Sequence, residues 1–427
     1  DTPFIIFKSK GQQITISNKE DNSTFTVQSN PLDVLKSLLK KYATDSRQDI
    51  PFYTSGFFGY LGYDTVRYIE KLPDLSEDDT RLPDIHMFVP QKIIVFDNLL
   101  HKITILLFVR PSGRVVEAYE KAVDRIEDII TALRQSSQPQ HSDGLLSPDF
   151  DVHACLSQPE YEGMVLRAKQ HIRRGDNFQI VLSQRLQVKT GIPAFQIYRA
   201  LRVVNPSPYM FYMDMEGVQV LGASPETLVK LKDNTVYLKP IAGTRRRGRD
   251  EIEDQQLIDD LLADPKERAE HTMLVDLGRN DVGRIAEFGT VKVEDYMGIE
   301  KYSHVIHLVS TVTGKLARYM DAVDVFKACF PAGTLTGAPK VKAMEIIERL
   351  EPTRRSIYGG AVGYMTFSGE MDVCIAIRTI FLKDHTAYLQ AGAGIVSDSV
   401  PEKEYQECFN KANALLKAIE YAGGGLV

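Results

Sequence analysis

Two pairs of glutamates share one spacing in otherwise unrelated stretches: Glu267 with Glu270, and Glu404 with Glu407. Residues three apart on a helix lie about one turn apart on the same face. One such pair from each of two helices would supply only oxygen ligands. That suits a hard cation such as Mg2+, which keeps several waters and completes its shell with an anionic substrate. The plainer alternative is two solvated faces, with Glu407 and Lys411 a surface pair and Glu267 only a helix cap. A di-iron centre would want Glu-x-x-His on two helices, and neither stretch has it. His-Glu-x-x-His is absent as well, which argues against a zinc hydrolase.

Other residues could serve the same chemistry. YSHVIHLV (302–309) alternates like a strand, with His304 and His307 on opposite faces. Each is either a packing residue or a general acid or base near neutral pH. QAGAGIV (390–396) reads as a glycine-rich turn whose backbone N–H groups at Gly392, Ala393 and Gly394 could approach an anion. Arg378, at the end of the apolar run CIAIRT, needs a carboxylate partner from the protein or from a ligand. FPAGTLTGAPK (330–340) is a loop entering a helix, rich in backbone donors. In KPIAGTRRRG (239–248) three arginines interrupt an acidic chain; they form a phosphate grip, a solvated turn or an active-site edge. Together these features describe a Mg2+-assisted site for a small polycarboxylate.

The elements that must hold these groups are partly legible. Asp264 as N-cap, Pro265 at the first position and Glu267 at the third spell a helix start with a capping box. A second helix opens at residues 399–401. Its apolar stripe is Tyr405, Cys408, Phe409, Ala412, Leu415, Leu416 and Ile419. Earlier, a hairpin turns at Ser9, Lys10 and Gly11, and a helix starts at Asn30 and Pro31. GFFGYLGYD (56–64) is a close-packed strand; KIIVFDN and KITILLFV are buried strands; 118–133 is helical. The Ser-, Gln-, Pro- and Asp-rich stretch from 134 loses apolar periodicity. We therefore expect a β-rich N-terminal region (1–133) that extends the sheets and is truncated at its start, a linker (134–157) and a catalytic region (158–423). No repeat of fixed period is present. The fold class is α+β, two packed, largely antiparallel sheets with helices outside.

Composition bounds the function. The chain has 427 residues and formal net charge −6. The acidic balance argues against a general nucleic-acid binder. No apolar run reaches the ~20 residues that span a bilayer, so no membrane role is expected, and no signal peptide precedes Asp1. The 4 cysteines are widely spaced and read as reduced thiols of a cytoplasmic protein.

LKPIAGTRRRG, AEHTMLVDLGRND, YSHVIHLVS, FPAGTLTGAPK, YGGAVGY, CIAIRT and QAGAGIVSDSVPEKEYQE, in this order, resemble the chorismate-utilising enzymes, most closely the anthranilate-forming members. The resemblance runs from about Glu160 to the end, and more loosely through GFFGYLGYD. It implies that family's two-sheet fold and Mg2+ bound through Glu270 and Glu407, with Glu267 and Glu404 as neighbours. It places Arg378, Tyr358 and the backbone of Gly392, Ala393 and Gly394 on the carboxylates of chorismate, and Thr334 near the ring. Glu226, in GASPET, would be the acid that protonates the departing C4 hydroxyl, and His307 the histidine linked to pyruvate elimination. Where aminodeoxychorismate-forming members carry a lysine, this chain has Ala242, with Thr244 close by in the same catalytic motif. Where isochorismate- and salicylate-forming members carry a water-activating lysine, it has Gln179.

These two positions point to ammonia at C2. The implied activity is a Mg2+-dependent lyase making anthranilate and pyruvate from chorismate via aminodeoxyisochorismate, the first committed step of tryptophan biosynthesis. No Gly-x-Cys-x-Gly elbow is present, so a separate glutamine amidotransferase subunit would supply the ammonia, in a heterotetramer. Asn205, Pro206, Ser207, Pro208, Tyr209 and Met210 resemble the family's tryptophan feedback segment, or are simply a turn. The N-terminal motif that accompanies that segment is not found, so either the start is missing or feedback is lost. The alternatives are an aminodeoxychorismate- or isochorismate-type enzyme, and an inactive scaffold that binds an amidotransferase.

Overall fold

The computed structural model describes residues 3–19, 22–44, 55–109, 113–135, 151–302 and 305–424. Two sheets carry the architecture, one of 12 strands and one of 7. Their strand pairs run antiparallel. The larger sheet is a composite. Its middle is formed where Gly56–Leu61 pairs with Ala361–Thr366, so strands from the first and last thirds of the chain are neighbours. Beyond Gly56–Leu61 the sheet continues through Ile85–Val89, Ile5–Lys10, Gln13–Asn18 and Ser23–Gln28. On the other side it runs to Val305–Lys315 and Ile241–Arg246. The smaller sheet is built around Gln179–Lys189 and Thr386–Ile395.

The sheets meet across an apolar layer in which Tyr60, Val362 and Cys374 of one face Val220 and Phe381 of the other. Helices cover the outer faces. Pro401–Gly423 buries Cys408, Ala412, Leu415 and Ile419, the stripe its 3.6-residue period predicts. Val400 makes no side-chain cap there. Burying Leu415 and Ile419 stabilises by about 1.5–3 kcal/mol each, more than a cap's ~1 kcal/mol, so packing on the small sheet fixes this helix. Pro265–Gly283 is capped as the sequence predicts: Asp264 accepts from Lys266 and Glu267 N–H. Its capping box does not close, because the Glu267 carboxylate is drawn to Arg245 instead.

Several expectations need correction. Lys92–Asp97 and Lys102–Leu107 do pair, but as a separate two-stranded sheet rather than in the core, with Phe96 61% and Ile103 55% exposed. A run of β-branched residues shows strand character without showing what will cover it. The stretch 134–157 is not all linker. Arg134 ends the helix Val115–Arg134, and Val152–Ala154 pairs with Gln179–Lys189. Residues 136–150 lie outside the described residues. The glycine-rich segment at 392–394 is not a turn but the interior of the strand Thr386–Ile395, paired residue for residue with Gln179–Lys189.

Candidate active site

Glu226 lies just past the strand Val218–Ser224, half-buried beside Thr334, whose Oγ1 donates to Oε1 at 3.0 Å. Thr334 sits in the short helix Gly333–Thr336, so the 330–340 motif serves to hold this carboxyl. Burial raises the Glu226 pKa, and the Thr334 bond and Lys411 only partly offset it, leaving it pushed up to about 7. A carboxyl in this range still holds its proton near neutrality, as a general acid must.

His307 stands on Val305–Lys315, paired across from Thr244. Its Nδ1 is 3.0 Å from the Gly243 carbonyl oxygen and 3.1 Å from Thr244 Oγ1. A carbonyl only accepts, so Nδ1 carries the hydrogen and Nε2 keeps a free lone pair. Burial lowers its pKa; the Gly243 bond partly offsets this, and nearby Arg378 adds to the lowering. Gly243, with φ 68°, is the residue that turns its carbonyl toward the ring. Ala242, beside it, is buried and offers no nucleophile. His304 lies outside the described residues.

The glutamate pairs sit near one another but are engaged by protein partners. Glu267 pairs with Arg245 at 3.2 Å and Glu407 with Lys411 at 2.7 Å. Gln179 hydrogen-bonds Glu270, and its amide packs against Gly394. Lys411 also donates to the Gly392 carbonyl at 2.9 Å. Among the described residues, no three His, Cys, Asp or Glu side chains converge as a metal-binding group. The donor chemistry nevertheless fits a divalent cation. Burial and then the neighbouring Glu267 raise the Glu270 pKa; burial and, with smaller weight, Glu407 raise that of Glu404. Half-buried carboxylates that resist ionisation beside each other are stabilised by an added cation.

Arg378 occupies a left-handed backbone position (φ 48°) between Met371–Ile375 and Thr379–Lys383. Among the described residues it has no ion pair. It donates only to the Asn205 side-chain oxygen, at 3.2 Å, and burial lowers its pKa. Among the described residues, no protein carboxylate meets its guanidinium. Tyr358 is buried with its hydroxyl against Gly392, where a Cβ would lie 2.8 Å from that oxygen. Of the segment 205–210, Asn205 caps the helix Ala194–Val204 and Tyr209 donates to Asp372 at 2.8 Å. Met210 packs against the apolar core of the small sheet.

The arginine run is answered in full. Arg245 meets Asp260, Asp264 and Glu267; Arg246 meets Glu253; Arg247 forks onto Asp254. All three charges are matched by protein carboxylates, so the run is a clasp between strand and helices, not a phosphate grip. Sequence reasoning missed the buried pair Glu351 and Arg355, although its i,i+4 spacing was visible.

Residues 2–417 match the model of the chorismate binding enzyme family. The chain belongs to that family. Within it, the chain is 48% identical to anthranilate synthase component 1 of Acetivibrio thermocellus, over 99% of this chain and 86% of the relative. The crystal structure of anthranilate synthase component I from Streptococcus pneumoniae superposes with a TM-score of 0.87 at 40% identity, covering 97% of this chain and 90% of the other. The menaquinone-specific isochorismate synthase of Escherichia coli shares the fold, with a TM-score of 0.73 at 21% identity over 98% of this chain and 89% of that one.

Proposed function

We propose that this chain acts as component I of an anthranilate synthase, a lyase that combines chorismate with ammonia and releases anthranilate and pyruvate by way of aminodeoxyisochorismate, the first committed step of tryptophan biosynthesis. The observation that carries this reading is a site in which Thr334 holds the Glu226 carboxyl and the Gly243 carbonyl holds His307 Nδ1, while the flanking positions, Ala242 and Gln179, offer neither an amine nucleophile nor a base for water. With no such side chain, the incoming nucleophile is ammonia. The same two positions speak against the aminodeoxychorismate- and isochorismate-forming alternatives.

Arg378, Tyr358 and the backbone at Gly392–394 seat the carboxylates of chorismate. Mg2+, held by Glu270 and Glu407 with Glu267 and Glu404 around it, would polarise the ring carboxylate. Ammonia forms the C–N bond at C2 as the ring double bonds shift. Glu226 gives its proton to the C4 hydroxyl, which leaves as water. His307 Nε2 then takes the C2 proton while the enolpyruvyl C–O bond breaks. The ring becomes aromatic, and the released enol becomes pyruvate. Thr244 steadies the His307 ring. A separate glutamine amidotransferase supplies the ammonia in a heterotetramer, and tryptophan acts as regulator at residues 205–210. No helix among the described residues is long and apolar enough to cross a membrane; we place the enzyme in the cytoplasm.

The test is product identity from purified chain, chorismate, Mg2+ and ammonium salt, read by mass. Anthranilate with pyruvate supports the reading. Aminodeoxychorismate or isochorismate would overturn the argument from Ala242 and Gln179. Absence of turnover with the amidotransferase present would favour an inactive scaffold.

A further inference from the structure

One ion pair lies deeper than the ionisable side chains of the mechanism above. Arg355 and Glu351 are 2% and 5% exposed, four residues apart in the irregular segment that follows the helix Lys340–Leu350. Arg355 donates to both Glu351 oxygens, from Nε at 2.8 Å and from an Nη at 2.7 Å. Its remaining donors leave the pair. One reaches the Leu335 carbonyl at 2.6 Å, the residue after Thr334; another reaches the Val181 carbonyl at 2.8 Å, opposite Gly394 in the strand register. Glu351 Oε1 also accepts from both N–H and Oγ of Ser183 at 2.8 Å, and Ser183 is the register partner of Gly392. Gln390, two residues before Gly392, donates to the same Ser183 hydroxyl. The guanidinium lies over the Tyr358 ring, 5.7 Å from its centroid, with Tyr63 at 4.8 Å. The Arg355 carbonyl accepts from Tyr358 N–H.

We propose that the Arg355–Glu351 pair is the positioning centre of the chorismate cradle, fixing Tyr358, the Gly392–394 backbone and the Thr334 loop relative to one another. The proposal rests on the chorismate reading of those three elements. Lysine would not replace this arginine, because only a planar fork can satisfy two carboxylate oxygens and two carbonyls while lying over a ring. Stability alone is a weak reason for such a pair, since apolar residues of similar volume often replace buried ion pairs without loss.

That contrast supplies the test. In the full-length chain, Arg355→Met combined with Glu351→Leu removes both charges together. We expect cooperative thermal unfolding to persist, the KM for chorismate to rise roughly tenfold or more, and the KM for ammonia to hold. A folded double variant with an unchanged chorismate KM overturns the proposal. Should the double variant not fold, Arg355→Lys decides: folded with a raised chorismate KM supports the proposal, and folded with the wild-type KM overturns it. Failure of both to fold would make the pair a stability element and overturn the positioning role. Wild-type turnover is the control; its absence counts against the chorismate reading rather than against this pair.

Discussion

In the proposed mechanism His307 and Glu226 divide the work by protonation state, and each division is measurable. His307→Ala removes the Nε2 base together with the Nδ1 bond to the Gly243 carbonyl. We expect it to spare amination more than elimination, so aminodeoxyisochorismate should accumulate and be seen by mass; equal loss of both steps would refute that role. Glu226 must be protonated to act, and its pKa is pushed up to about 7. The rate per free ammonia molecule should therefore fall as pH rises through about 7, and Glu226→Gln should lower amination by roughly 10²–10⁴-fold. Both are read from initial rates corrected for ammonium ionisation. The same shift has a stability side. The folded pKa lies above the carboxyl's ordinary value of 4.5, so the neutral carboxyl contributes fully below that pH and loses its contribution as pH climbs through about 7.

At the scale of elements, glycines separate geometry from mere flexibility. A Cβ on Gly392 would lie 2.7 Å from the Leu182 carbonyl oxygen and 2.8 Å from the Tyr358 hydroxyl, whereas one on Gly163 meets nothing within 4 Å. Gly392→Ala should raise the chorismate KM. Gly163→Ala, at a half-buried position of the helix Gln158–Arg173 with open space for a Cβ, should stabilise by about 0.4–1 kcal/mol in chemical denaturation. Asp264→Ala loses both a helix cap and an Arg245 partner, and should cost about 1–2 kcal/mol by the same measurement. The helices and hairpins were legible because caps and periods are local. The strand at Gly392 was misread as a turn because glycine signals freedom, while its reason here is close approach by Tyr358. The separate hairpin at 92–107 and the Arg355 centre were hidden for a related reason: which surface covers a strand, and which four groups surround a guanidinium, are set by residues distant in sequence. For the site, residue type and order named the acid, the histidine and the glutamates. The Glu407–Lys411 pair, the plainer reading of that spacing, is present, but the hold of Arg245 on Glu267 was not legible.

At the scale of the molecule, the N-terminal third is structural rather than appended. Gly56–Leu61 lies between Ala361–Thr366 and Ile85–Val89 in one sheet. A fragment beginning at residue 151 would expose the Ala361–Thr366 edge, and we expect it to be insoluble or to lack cooperative unfolding by circular dichroism. A fragment that folded cooperatively would show that the large sheet can end there. The same pairing sets a timetable for synthesis. Leu61 leaves the ribosome roughly 300 residues before its partner Ala361. At ~5–20 residues per second the first strands wait about 15–60 s with an open edge. The nascent chain is thus a client for chaperones over most of its translation, and slowing elongation should lower its soluble yield more than that of a protein whose neighbouring strands are made in succession.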